Sequence, residues 1–309
     1  MNKTLSNQKR KLTAIKNKIL KARDFHLVAE NLSNTEAILT ALKSDKKSVK
    51  VNYEEKGENQ SYLYDHIDMI DYISPYPLVS NFIESKTSEN YQLLLNGCFC
   101  SVMADMASAK YLAKGGSNFD TDICLNILFA LAYLDNTYVE FLIDKLAYFK
   151  EAQVEKGKKI IFFSAKSLLP LVVFLYGNGK DDRLANLLEN ACDAKYHPLD
   201  TNPYQNVNDA YKQVMETIFS EDDDVFRETI LSMYDYHLAN TRDSHLVDFN
   251  TLLWQYFSIE ILVLLKERQK KGLSIDGIRH PLFDDFLPYF MDDFQLTEQN
   301  KMILGTILD

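Results

Sequence analysis

Apolar positions recur every three or four residues along most of this chain. Leu12, Ile15, Ile19 and Ala22 form such a stripe, and Lys9, Lys11, Lys16, Lys18 and Lys21 fill the other faces, which predicts a basic amphipathic helix. Ser33-Asn34-Thr35-Glu36 fits a capping box, with a short helix following through Leu42. Lys43 to Ser61 is polar and reads as an exposed loop or a small hairpin around Gly57. Tyr62 to Ile73 is aromatic and β-branched with partial alternation, so strand and helix both stay open before Pro75 and Pro77 punctuate the chain.

From Ser88 the helical pattern is firmer. Tyr91, Leu94, Leu95, Cys98, Val102, Met106 and Ala109 share one face, and Gly115-Gly116 is the stop signal. Asp120 or Thr121 is placed to cap a helix running to about Leu134, and Asn136 or Thr137 starts another through Phe149. Lys158 to Ser164 is ambiguous; with no clear second strand to pair with, helix is favoured there. Asp181 to Ala194, Tyr204 to Phe219 and Asp223 to Asn240 read as helices, followed by one long apolar helix from Asp248 to Arg268. Beyond Pro281, short helices are expected at about Leu282–Met291 and Glu298–Leu308.

The predicted fold class is all-α: an irregular multi-helix bundle or short α-solenoid of antiparallel helix pairs. A scarcity of turn formers, 10 Gly and 7 Pro in 309 residues, argues against a sandwich or barrel. No regular repeat period is visible. Residues 1–60 read as basic N-terminal helices with a polar loop, and 61–309 as one all-α domain with a soft boundary near 177–180.

Charge sharpens that division. Residues 1–50 carry a net +8 and residues 51–309 a net −18, for −10 overall. An acidic body does not suit direct binding to nucleic acid, but it steers a basic protein partner. The basic first helix is expected to pack on that body rather than on a membrane, because its stripe lacks Trp or Phe anchors. The longest apolar run, Leu168 to Tyr176, is far short of the ~20 residues of a membrane span, and no apolar segment follows the basic N-terminus as in a secretory signal. Cys98, Cys100, Cys124 and Cys192 read as reduced core thiols, so a cytoplasmic location is expected.

Catalytic motifs are missing: there is no HExxH, GxxxxGK[ST], GxSxG or GxGxxG. His66 with Asp65, Asp68 and Asp71 imitates a metal cluster but reads as a polar turn. No enzyme, cofactor or metal is therefore expected. The run Glu221, Asp222, Asp223 and Asp224 sits where a helix should begin, so its acids favour the macrodipole and also offer a patch to a cationic partner. Asp284, Asp285, Asp292 and Asp293 are grouped with it as partner-binding candidates. Glu260, alone on an apolar helix, needs a buried partner, which His237, Arg227 or Arg242 would supply in a structural polar network. Trp254 reads as core.

The last third has a distinctive order. Asp209-Ala210-Tyr211 opens a helix, an acidic hinge follows, and the next helix runs from Val225-Phe226 to Tyr236-His237. A long apolar helix then ends at Gly272-Leu273, and a segment from His280-Pro281 to Pro288-Tyr289 closes it. This order resembles the helical immunity proteins of bacterial polymorphic toxin systems, notably the immunity protein 49 family; immunity proteins against PoNe-type DNase toxins have a similar layout. The resemblance spans about residues 90–300, by architecture and a few positions, with His237 matching an expected histidine. Trp254 to Phe257 match only loosely, bulky residues standing where small ones are expected. It implies a cytoplasmic, non-catalytic protein that binds and neutralises a cognate toxin; a cationic nuclease would suit the charge. A helical-repeat scaffold binding peptides is the alternative, and a homodimer stays open.

Overall fold

The computed structural model describes every residue except 1–2, 24–35, 37–38, 41, 44–47, 56–57, 66–69, 71–74, 112–118, 156, 177–181, 203, 206 and 245. Most of the described residues are helical, so the all-α expectation is met. Twelve helices and four short strands are traced among the described residues. The helices are α1 (Lys3–Arg23), α2 (Pro75–Glu84), α3 (Ser88–Tyr111), α4 (Asp120–Tyr133), α5 (Asn136–Glu155), α6 (Leu168–Leu175), α7 (Asp182–Leu188), α8 (Asp209–Thr217), α9 (Asp223–Ala239), α10 (Leu252–Tyr256), α11 (Ile259–Lys270) and α12 (Glu298–Leu308). The strands are β1 (Ser48–Glu55), β2 (Glu58–Asp65), β3 (Ile160–Phe162) and β4 (Ala191–Asp193). No helix among the described residues is long and apolar enough to cross a membrane.

Two compact units divide the chain: residues 1–15 with 117–292, and residues 16–116 with 293–309.

In the first unit, α4 and α11 are buried on nearly every face and pack on each other, as helices apolar all round must. Helices α5 and α6 pack on α4, and the antiparallel pair α8–α9 joins them through α6 and α11. The part of the α1 stripe that belongs to this unit is buried at Leu12 and Ile15. Lys11 Nζ donates to the Leu238 carbonyl at the end of α9, and the Gln8 amide donates to Asp235. The basic first helix thus docks on acidic and carbonyl groups, as expected.

In the second unit, α3 packs on α2 and α12. A small polar ladder registers α3 against the entry to α12: Asn96 Nδ2 donates to Gln295 O at 2.8 Å, and Asn300 Nδ2 donates to Asn96 O at 3.0 Å. Strands β1 and β2 form an antiparallel hairpin with Glu55 opposite Glu58; Gly57 lies outside the described residues.

Several local expectations are corrected. Lys158–Ser164 contains strand β3, because β4, some thirty residues later, supplies the parallel partner (Ile160 opposite Ala191) that was not visible locally. The helix read over Asp181–Ala194 therefore stops at Leu188. The single helix read over Asp248–Arg268 is broken at Phe257–Ser258, where Ile259 N–H donates to Phe257 O rather than to Gln255 O. Residues 282–291 form a run of tight turns, mixing three- and four-residue hydrogen bonds around Pro288. Its apolar spacing still buries Phe283, Phe286 and Phe290. Ser33–Thr35, His66, Asp68, Asp71 and Gly115-Gly116 lie outside the described residues.

Candidate functional site

The interior of the first unit holds an unusual density of polar groups. Glu260, at the first turn of α11, is 1% exposed, and its Oε1 lies 2.7 Å from Nδ1 of the fully buried His237. His237 Nε2 lies 3.1 Å from the Gln255 carbonyl oxygen. A carbonyl only accepts, so Nε2 is the donor to Gln255 O and Nδ1 is the nitrogen that faces Glu260. The break between α10 and α11 explains this contact. A continuous helix would have used Gln255 O for the Ile259 N–H. Of the three partners weighed for Glu260, His237 is the one present. Arg227 pairs with Asp224 and reaches Asp276 O at 3.3 Å, and Arg242 is exposed.

Two further carboxylates join this interior. Asp248 accepts from Tyr236 OH at 2.7 Å and from Ser167 Oγ at 2.8 Å. Burial pushes its carboxyl up to about 6, against the pull of those two hydroxyls and with the help of Asp120 and Glu260. Asp120 does not cap α4, whose N-cap is Phe119. It faces inward and accepts from Ser164 Oγ (2.6 Å), Ser164 N (2.8 Å) and Phe163 N (3.0 Å). Burial raises it, too, above the usual range, while those hydrogen bonds oppose the rise. Cys124 Sγ is 3.6 Å from Ser164 Oγ, and burial pushes the thiol well up, which disfavours the thiolate. His280 stacks flat on Tyr234 with centroids 4.5 Å apart, and burial lowers it to about 4, leaving it neutral at ordinary pH.

Asp248 provides a pH test. Its folded value of about 6 lies above the 3.8 of an ordinary aspartate. The unfolded chain therefore releases this proton first as pH rises, and stability falls between the two values and stays low above them. Asp248→Asn cannot ionise. In urea unfolding, the stability of the variant relative to the parent should rise by about 2 kcal/mol between pH 4.5 and pH 7.5. A difference that stays flat across this range would show that Asp248 ionises as freely folded as unfolded.

The acidic candidates are largely engaged in the fold. Asp222 is the N-cap of α9 and accepts from Asp224 N at 3.0 Å and Val225 N at 3.2 Å. Asp223 accepts from Arg268 Nη2 at 2.8 Å. Asp285 accepts from Tyr256 OH at 3.0 Å, and Asp284 from His280 N at 3.2 Å. Burial raises Asp284 above the usual carboxylate range. Asp292 N–H donates to Tyr289 O at 2.8 Å. Asp293 belongs to the second unit, where its carbonyl accepts from Gln92 Nε2 at 2.9 Å. Glu221 is exposed.

Sequence reasoning missed Arg268, Asp248, Asp120 and Ser167. Arg268 is 0% exposed. It donates to the carbonyls of Ile218, Ser220 and Ser274 at 2.6–2.8 Å, and its guanidinium lies 3.9 Å from the Phe226 ring centroid. A lone charge inside an apolar stretch, as Asp248 is between Val247 and Phe249, was the available signal.

No three-residue group of His, Cys, Asp or Glu able to hold a metal ion occurs among the described residues. A shallow notch lined by Ala165, Leu169, Pro170, Leu188, Leu199, Asp200 and Asn202 encloses about 10 Å³, the space of one water. Compared with family models, curated proteins and solved structures, the chain matches none.

Proposed function

We propose that this protein acts by occupying another macromolecule, as an immunity protein that binds and neutralises a cognate bacterial toxin from the cytoplasm. The observation that carries this reading is the α8–α9 hairpin. Between Asp209 and Asp235 it has eight carboxylates against two bases. Glu216, Glu221 and Glu228 are exposed there. Asp222 and Asp223, through the α9 cap and Arg268, fix the turn that presents them. Rigid, outward-facing negative charge is what an inhibitor of a cationic nuclease needs, because it stands where substrate phosphates would lie. The layout of the last third, with its resemblance to immunity proteins, supports the same reading.

The test is co-expression with the protein encoded immediately upstream, read as growth rescue and as a complex on size exclusion. The triple variant E216K/E221K/E228K should associate about tenfold more slowly at low salt while melting like the parent, since these side chains sit in solvent. Neither rescue nor complex with the parent chain would remove the proposal.

A further inference from the structure

Residues 3–15, the first half of α1, carry four bases, Lys3, Lys9, Arg10 and Lys11, and no acid. They belong to the first unit, where they lie against the end of α9. The Gln8 amide donates to the Asp235 carboxylate. Lys11 Nζ donates to Leu238 O, one of the carbonyls at which a helix C-terminus favours a cation. Burial raises the Asp284 carboxyl, and Lys9 stands near enough to oppose that rise, together with the His280 N–H and Arg279. The segment thus places its charge where a basic chain from another molecule would place its own.

Its attachment is slight. Of residues 6–15, only Leu12 and Ile15 are buried, while Ser6, Asn7, Lys9, Arg10, Thr13 and Ala14 are exposed. No acid stands in the first turn to favour the helix dipole. Lys11 is half-buried beside Arg242, and burial, then that like charge, lower its ammonium below the usual value. The remaining attraction of Lys9 and Lys11 acts near the surface, where salt weakens it. A helix this short has little stability of its own once its apolar stripe leaves the body.

The face beneath the segment continues into the acidic α8–α9 surface. Glu228, Leu231 and Asp235 lie three and four residues apart and share one side of α9. Glu228 and Asp235 are exposed, and Leu231 is half-buried between them. Two turns, about 10 Å, separate Glu228 from Asp235. A specific interface covers about 800 Å² per partner, roughly three times that distance across. A chain centred on Glu228 therefore reaches Asp235 and meets α1 there, and a cationic chain also meets four like charges. We propose that the first half of α1 is an autoinhibitory strap: it occupies the Asp235 end of the α9 face in place of a cationic partner and lifts away when that partner binds. The proposal rests on the toxin reading for the identity of the partner, whereas the strap itself is testable without it.

A fluorescent peptide of residues 3–15, titrated into the full chain at low salt, tests the strap by anisotropy. L12S/I15S removes the two buried anchors of the segment. This variant should bind the peptide about tenfold more tightly than the parent, whose face is already covered, and adding D235K should remove most of that gain. If L12S/I15S misfolds, hydrogen exchange on the parent decides. Amides 8–15 should exchange about tenfold faster than amides 229–238 of α9, and faster still in high salt. Each of four results would overturn the strap: equal peptide binding by parent and variant, binding undiminished by D235K, equal binding of a scrambled peptide of the same composition, or exchange at 8–15 as slow as in α9. The protein encoded upstream separates the two readings. Tighter binding to L12S/I15S than to the parent supports both. Equal binding to the two chains overturns the strap and leaves the toxin reading standing. Binding to neither removes the toxin reading, and the peptide still decides the strap.

Discussion

Replacing Arg268 with methionine should cost about 3–5 kcal/mol of stability in urea unfolding, a third or more of what a typical domain possesses. The guanidinium is wholly buried, and its donors reach Ser274 O, Ile218 O, Ser220 O and the Asp223 carboxylate. Methionine fills similar space but leaves those three carbonyls without their donor. Lysine keeps the charge but has no planar fork to span several acceptors, so Arg268→Lys should recover only a minor part. The damage should also be local. Ile218 and Ser220 lie in the turn between α8 and α9, so amide exchange at 220–224 should quicken before the unit unfolds. A methionine variant with the parent's midpoint and the parent's exchange would show that the four acceptors are satisfied some other way.

Arg268 also marks where the sequence stops being legible. Helices α3, α8, α9 and α12 follow from three- and four-residue apolar spacing with polar caps, and those signals are local. The acidic start of α9 was readable for the same reason. What failed was non-local. Strand β3 needed a partner thirty residues away, and the α10–α11 break leaves Gln255 O to His237 on another helix. The turns at 282–291 keep a helical spacing of aromatics, because burial of Phe283, Phe286 and Phe290 fixes the pattern whatever the backbone does between them. Of the candidate residues, His237 and Glu260 were paired correctly because a carboxylate on an apolar helix demands a partner. The arginines proposed beside them were not, since charge alone does not say which side chain the fold brings near. Asp284 and Asp285 looked like surface acids by composition, yet hydrogen bonds from His280 N and Tyr256 OH tie them to the fold.

His237→Phe should destabilise the protein by about 3–5 kcal/mol at neutral pH, while the double variant His237→Phe with Glu260→Leu should regain most of that loss. The single change removes the group that faces Glu260 Oε1 at 2.7 Å and leaves a carboxylate 1% exposed with no compensating proton donor. Its other oxygen, Oε2, already has no hydrogen-bond partner among the described residues, so little stands ready to take over. Leucine removes the charge altogether, and phenylalanine in place of the imidazole extends the contact already made by the Phe249 ring, 3.9 Å away. The four chains of this double-mutant cycle therefore separate two roles. A coupling of several kcal/mol, with a stable double variant, assigns the pair to matching groups within the core. A double variant no better than either single change would mean instead that His237 serves chiefly through Gln255 O, holding open the break between α10 and α11.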